Sequence, residues 1–313
     1  STHFCCLLHN QREENSIAIM EEEQNKSPLH HYWGNTSEED YYTLQGIKST
    51  KSFFTSSRDL TLFTRSWLPP TKTPPKGIIF MIHGYGNDIS WTFQATPIHL
   101  AKKGFACFAL DLEGHGQSQG LKAYVPNLDL VIDDCLSFFS FVLTQNTEFQ
   151  DLPKFLFGES MGGAICVLIH LKRPKEFNGG ILIAPMCKIS DKVKPIWPIA
   201  QFLTLVARFA PTLAVVPTAD LLEKSVKVPE KRIIGGRNPN RYFGKPRLGT
   251  VVELLRVTDY VSKVSRELYK LAKSTDKTLK IYDGMMHSLL FGETDENVEI
   301  VRGDILAWLN DRC

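Results

Sequence analysis

Short continuous apolar runs, separated by polar stretches, mark strands buried on both faces of a parallel sheet. GIIFMIH (Gly77–His83), FACFALD (Phe105–Asp111), KFLFG (Lys154–Gly158), GILIAP (Gly180–Pro185) and TLKIYDG (Thr278–Gly284) have this form. Thr50–Thr55 and Leu60–Trp67 read as strands around the turn SSRD, a hairpin ahead of the main sheet. Helical spacing governs the segments between. Leu128, Val131, Cys135, Phe138, Phe139 and Val142 lie on one face of a helix over Leu128–Thr144, and Val301, Ile305 and Trp308 on one face of a closing helix over Val298–Asn310. Strands alternating with helices predict an α/β chain with a doubly wound, mostly parallel sheet.

The rhythm changes between Pro185 and Pro246. That stretch holds 8 of the 17 prolines and no clear strand, which predicts a helical lid inserted over the sheet. The predicted organisation is a disordered segment over 1–30, core over 31–184, lid over 185–258, and the rest of the core over 259–313. Residues 1–19 are expected to precede a natural start at Met20, in MEEEQNKSP, and STHFCCLLHNQREENS has no basic start and no clean cleavage site. The longest apolar stretch, Ile196–Val216, carries Arg208 and is broken by Pro198 and Pro211, so it is not a membrane span. It suits a lid that lines a substrate pocket or rests on a membrane surface.

Composition narrows the function little. A net charge of +2 in 313 residues argues against a nucleic-acid partner. The 7 cysteines are odd in number, dispersed and without a C-x-x-C pair, which fits a reducing, cytoplasmic setting. No metal, organic cofactor or protein partner is indicated.

The chemistry lies in FLFGESMGGA (Phe155–Ala164). An apolar strand runs into Gly158-Glu159-Ser160-Met161-Gly162, and a helix over Met161–Leu171 follows. A strand–turn–helix around a serine between glycines is a nucleophile elbow. The oxyanion hole is expected from the backbone N–H of Met161 and of Tyr85 in HGYG (His83–Gly86), directly after an earlier strand. His287, in DGMMHSLLFG after the last strand, is the candidate base, because the histidine comes last in this chain order. His83 and His115 read as loop braces. The lid residues Phe202, Leu203 and Phe209 are expected to line the substrate pocket.

HGYG, DLEGHGQS, FLFGESMGGA, RYFGKPRLGT and DKTLKIYDGMMHSLL, in this order, resemble the plant monoacylglycerol lipase family of α/β-hydrolases, which includes caffeoylshikimate esterase. The resemblance runs from about Tyr32, where WGNTSEEDYY matches the family's opening, to the C-terminus. It implies a capped serine hydrolase acting on monoacylglycerol, lysophospholipid or hydroxycinnamoyl esters, with Ser160 as nucleophile, His287 as base, and Tyr85 and Met161 as oxyanion donors. The chain departs from the family in one place. There, a buried strand ending in an H-G-x-x-D motif follows the lid and supplies the triad acid. Here LLRVTDYVSKVSRELYKLAKSTDKT runs from the lid directly into the next helix, with the seam near Tyr260–Val264. About one βα-unit of chain is absent, so the sheet is expected to lack a strand. Asp283, four residues before His287, is the remaining weak candidate for the acid and reads as structural. Two functions therefore stand side by side: a serine esterase or lipase, and an impaired copy that at most binds an ester, since losing the acid costs on the order of 10⁴ in kcat.

Overall fold

The protein was described as a computed structural model, covering residues 3–10, 31–70, 74–188, 197–217, 221–271 and 276–313. Among the described residues, eight strands form one sheet: β1 (His3–Asn10), β2 (Lys48–Thr55), β3 (Thr61–Leu68), β4 (Ile78–Ile82), β5 (Ala106–Leu110), β6 (Lys154–Glu159), β7 (Gly179–Ile183) and β8 (Lys277–Asp283). Their order is β2-β3-β5-β4-β6-β7-β1-β8. β3 pairs antiparallel with both β2 and β5, and every other neighbouring pair is parallel. The order reverses between β5 and β6, so the crevice at the carboxyl ends of β4 and β6 is where such a sheet offers a ligand site. The apolar runs become central strands because every residue of β4, β5 and β7 is buried, as a parallel sheet covered on both faces requires.

The first strand overturns two expectations. Residues 3–10 are not disordered, and the sheet is not short of a strand. β1 lies parallel between β7 and β8, with Cys6 opposite Leu182 on one side and Leu279 on the other. The physical reason is backbone pairing. A gap between β7 and β8 would leave two rows of N–H and C=O groups without partners, and an apolar segment such as HFCCLLHN satisfies both rows at once. The last strand therefore does not pair directly with β7. Residues 1–2 and 11–30, also expected to be disordered, lie outside the described residues.

Helices cover both faces. α3 (Leu128–Gln145) and α4 (Met161–Lys172) pack on one, where Phe80, Leu156, Phe139, Ile165 and Cys166 form a core. On the other, α2 (Ala95–Lys102) and α9 (Asp295–Asn310) enclose Phe105, Phe155, Phe157, Ile181 and Trp308. α1 (Glu38–Gln45) precedes β2; Ser37 caps it by accepting from the Asp40 N–H at 3.1 Å, and Gly46 closes it with φ 68°. Cys107, Cys135 and Cys166 are buried free thiols, which burial pushes above the ordinary thiol range.

After β7 come α5 (Trp197–Phe209), α6 (Leu221–Ser225), α7 (Pro229–Gly236) and α8 (Leu248–Leu271). α8 is continuous through Tyr260–Val264, so the seam is an unbroken helix that runs toward β8. Its first half seats on the core: Val257 and Val261 are buried against the α3–α4 face, and Glu253 Oε1 accepts the Leu128 N–H at 2.7 Å, placing a carboxylate on the α3 N-terminus.

Candidate active site

Ser160 stands at the junction of β6 and α4 with φ 53° and ψ −115°. A non-glycine residue with positive φ is strained, and the surrounding turn holds it there. The Ser160 N–H donates to Ile183 O at 3.0 Å, and Ser160 O accepts from Gly163 N at 3.0 Å and Met186 N at 2.9 Å. The flanking glycines answer to close backbone approach. A Cβ at Gly158 would meet Gly162 O at 2.3 Å, and one at Gly162 would meet Ile82 O at 2.2 Å. The sharp turn therefore accepts only glycine at those two places, and it leaves Ser160 at the wall of a cavity.

That cavity, of about 190 Å³, is lined by Ser160, Tyr85, Glu159 and His287 among others. β4 delivers the HGYG loop to it; Gly84 lies so close that a Cβ there would touch Ser160 Cβ at 3.3 Å. Tyr85 is fixed by its hydroxyl, which donates to Ala123 O at 3.0 Å. Met161 opens α4 directly after the serine. β8 delivers His287 from the loop that follows it. Tyr85, Ser160 and His287 come from three separate parts of the chain and share one cavity, with Met161 next to the serine in sequence.

The other histidines have different surroundings. His83 is fully buried; its Nδ1–H donates to Gly84 O at 2.8 Å and its Nε2 accepts from Leu112 N at 3.0 Å. Burial lowers its pKa to about 4, so it is a neutral brace between two loops. His115 Nδ1 pairs with Glu113 O at 2.8 Å, its ring lies 5.3 Å from that of His83, and burial lowers its pKa to about 3.

Asp283 is exposed at the end of β8 and is not on the cavity wall. The one carboxyl among the described lining residues is Glu159, which the motif reading passed over. The signal was available: with period 2 along β6, Glu159 shares a face with Phe155 and Phe157, the face on which Met285, Leu289 and Leu290 of the His287 loop pack. Desolvation raises its pKa to about 7.

The lid side of the cavity corrects a further expectation. Phe202, Leu203 and Phe209 do not line it. Phe202 and Phe209 are 64% and 84% exposed, because α5 seats on α8 through its opposite side, where Ala207 is buried. The lid residues on the wall are instead Leu221, Leu222, Ser225, Val226, Gly235 and Arg241. Among the described residues no group of His, Cys, Asp and Glu is arranged to hold a metal ion.

Comparison with known proteins gives concordant results. The family model described as Serine aminopeptidase, S33 (Hydrolase_4) matches residues 73–265, ending just past the seam. A caffeoylshikimate esterase of Arabidopsis thaliana is 40% identical over 305 residues, covering 90% of this chain and 91% of that protein. A human monoglyceride lipase is 31% identical over 279 residues, covering 80% of this chain and 87% of the relative. Among solved structures, a soluble variant of Saccharomyces cerevisiae monoglyceride lipase bound to a substrate analog superimposes with a TM-score of 0.71. It is 21% identical and covers 85% of this chain and 96% of that one, a likeness of fold.

Proposed function

Because this chain belongs to the serine aminopeptidase family of α/β-hydrolases, in its monoacylglycerol lipase and caffeoylshikimate esterase group, and is a carboxylic ester hydrolase, we propose that Ser160 is its nucleophile and His287 its general base. In this reading His287 takes the Ser160 Oγ proton as the oxygen attacks the ester carbonyl. The backbone N–H groups of Tyr85 and Met161 receive the oxyanion, and His287 returns the proton to the leaving alcohol. Water then hydrolyses the acyl-enzyme by the same route in reverse. The carrying observation is that Ser160, held at positive φ on a strand–turn–helix, shares one cavity with His287 and Tyr85. The substrate is an ester of the caffeoyl shikimate or monoacylglycerol type, and the higher identity to the former favours a hydroxycinnamoyl ester.

The test is active-site labelling. A serine-directed fluorophosphonate should label the protein, and Ser160→Ala should abolish both labelling and hydrolysis of a short p-nitrophenyl ester. Full-strength labelling of the variant would overturn the assignment. Peripheral membrane contact through the lid belongs to the same reading, supported by the exposed Ile199, Phe202, Leu205 and Phe209 of α5. Co-sedimentation with phosphatidylcholine vesicles that Phe209→Asp weakens would bear this out, and absence of sedimentation would refute it. No helix among the described residues is long and apolar enough to cross a membrane.

A further inference from the structure

The lid is joined to the loop that carries Tyr85 by a set of polar contacts. Asn238 Nδ2 donates to Asp88 Oδ2 at 2.5 Å, with Asp88 and Asn238 only 0% and 2% exposed. Asn240 Nδ2 donates to Ser90 Oγ at 2.8 Å, the Trp91 indole N–H donates to Ile234 O at 2.7 Å, and the Tyr242 N–H donates to Gly86 O at 2.9 Å. Asp88 in turn organises its own loop, because its Oδ1 accepts both the backbone N–H and the hydroxyl of Ser90. Asn238 organises the lid side, where its Oδ1 accepts the Asn240 N–H at 3.0 Å. Gly86, next to Tyr85, has φ 72°, a left-handed conformation that favours glycine.

From these contacts we propose that Asp88 and Asn238 form a buried latch by which the lid fixes the oxyanion loop, so that Asp88 is a positioning residue for the Tyr85 amide. This rests on the reading of that amide as an oxyanion donor. A buried hydrogen bond between side chains is expensive to leave half-made. The Tyr242 N–H to Gly86 O bond carries its restraint to within one residue of Tyr85. An amide misaimed by about 1 Å stabilises the tetrahedral oxyanion far less, while the ester still enters the same cavity. The latch therefore acts on kcat and leaves KM nearly alone.

The experiment is a swap. Asp88→Asn should lower kcat for a short p-nitrophenyl ester by about 10- to 100-fold, with KM within about threefold. The rate of fluorophosphonate labelling at Ser160 should fall in parallel. Asn238→Asp should do the same by facing two carboxylates. The double variant D88N/N238D restores one amide donor opposite one carboxylate, and it should recover most of kcat. If a single variant does not fold, Asn240→Ala, which removes only the Ser90 contact, reads the same coupling with a smaller loss of kcat. A wild-type protein that does not label at Ser160 overturns the proposed function and the latch's role in it together. Labelling and turnover in the wild type, with Asp88→Asn unchanged in kcat or the swap failing to recover it, overturns the latch alone.

Discussion

Removing residues 1–11 deletes β1 and tests whether the sheet depends on a strand from the far end of the chain. β1 is in register with five residues of β7 and seven of β8. Parallel ladders of that extent hold on the order of ten hydrogen bonds, each netting about 0.5–1.5 kcal/mol, so the full loss is about 5–15 kcal/mol. That equals the usual stability of a whole domain. If β8 closed up against β7, one of the two ladders would be regained, leaving a deficit of several kcal/mol and a fall in Tm of about 10 °C or more. Closure would also move β8 by one strand spacing, about 4.8 Å, and carry with it the His287 loop that begins at its end. Even a folded truncation should therefore lose ester hydrolysis by orders of magnitude. Circular dichroism melts and p-nitrophenyl ester turnover measure the two effects. A truncated protein melting within about 2 °C of the full chain, with undiminished turnover, would refute the placement of β1. Cys6→Pro, which removes a ladder N–H from the middle of the strand, should act in the same direction to a smaller extent.

Stability should fall as pH rises above about 6.5. Burial raises Glu159 to about 7 and Asp111 to about 8, the latter aided by nearby Asp88, while the unfolded chain titrates both near 4. The native state thus holds extra protons on these two carboxyls across about pH 4 to 8; below about pH 6.5 the buried neutral His83 and His115 act in the opposite sense, because the unfolded chain takes up their protons, so Tm should decline between about pH 6.5 and 8 and level off above. Glu159→Gln should match the wild type near pH 4, melt higher at pH 8, and flatten the decline; a Tm that rises from about pH 6.5 to 8 would contradict this. Because Phe202 and Phe209 face solvent, replacing both with Asp should leave short-ester turnover within about twofold, whereas Leu222→Asp, on the cavity wall, should raise KM and impair turnover. Steady-state kinetics on the two variants separate these outcomes.

Local signals carried much of the molecule. The continuous apolar runs are what strands covered on both faces require, and β4, β5, β6 and β7 lie within a residue or two of them, whereas β8, at the sheet edge, leaves Leu279 and Ile281 exposed. The elbow was legible because a serine strained between glycines needs a strand before it and a helix after it, all contiguous in sequence. What only the tertiary structure decided involves contacts between distant segments. HFCCLLHN reads as an N-terminal scrap until two parallel neighbours, each with an unpaired backbone edge, give it a place in the sheet. The aromatic residues of α5 read as pocket lining until the packing of α5 on α8 turns them outward. Asp88 and Asn238 are unremarkable 150 residues apart in sequence, and their meeting depends on how the lid folds back over the oxyanion loop. Hydrophobic periodicity reports which face of an element is covered; it does not say which distant segment covers it, because that is settled by backbone pairing and packing across the whole chain.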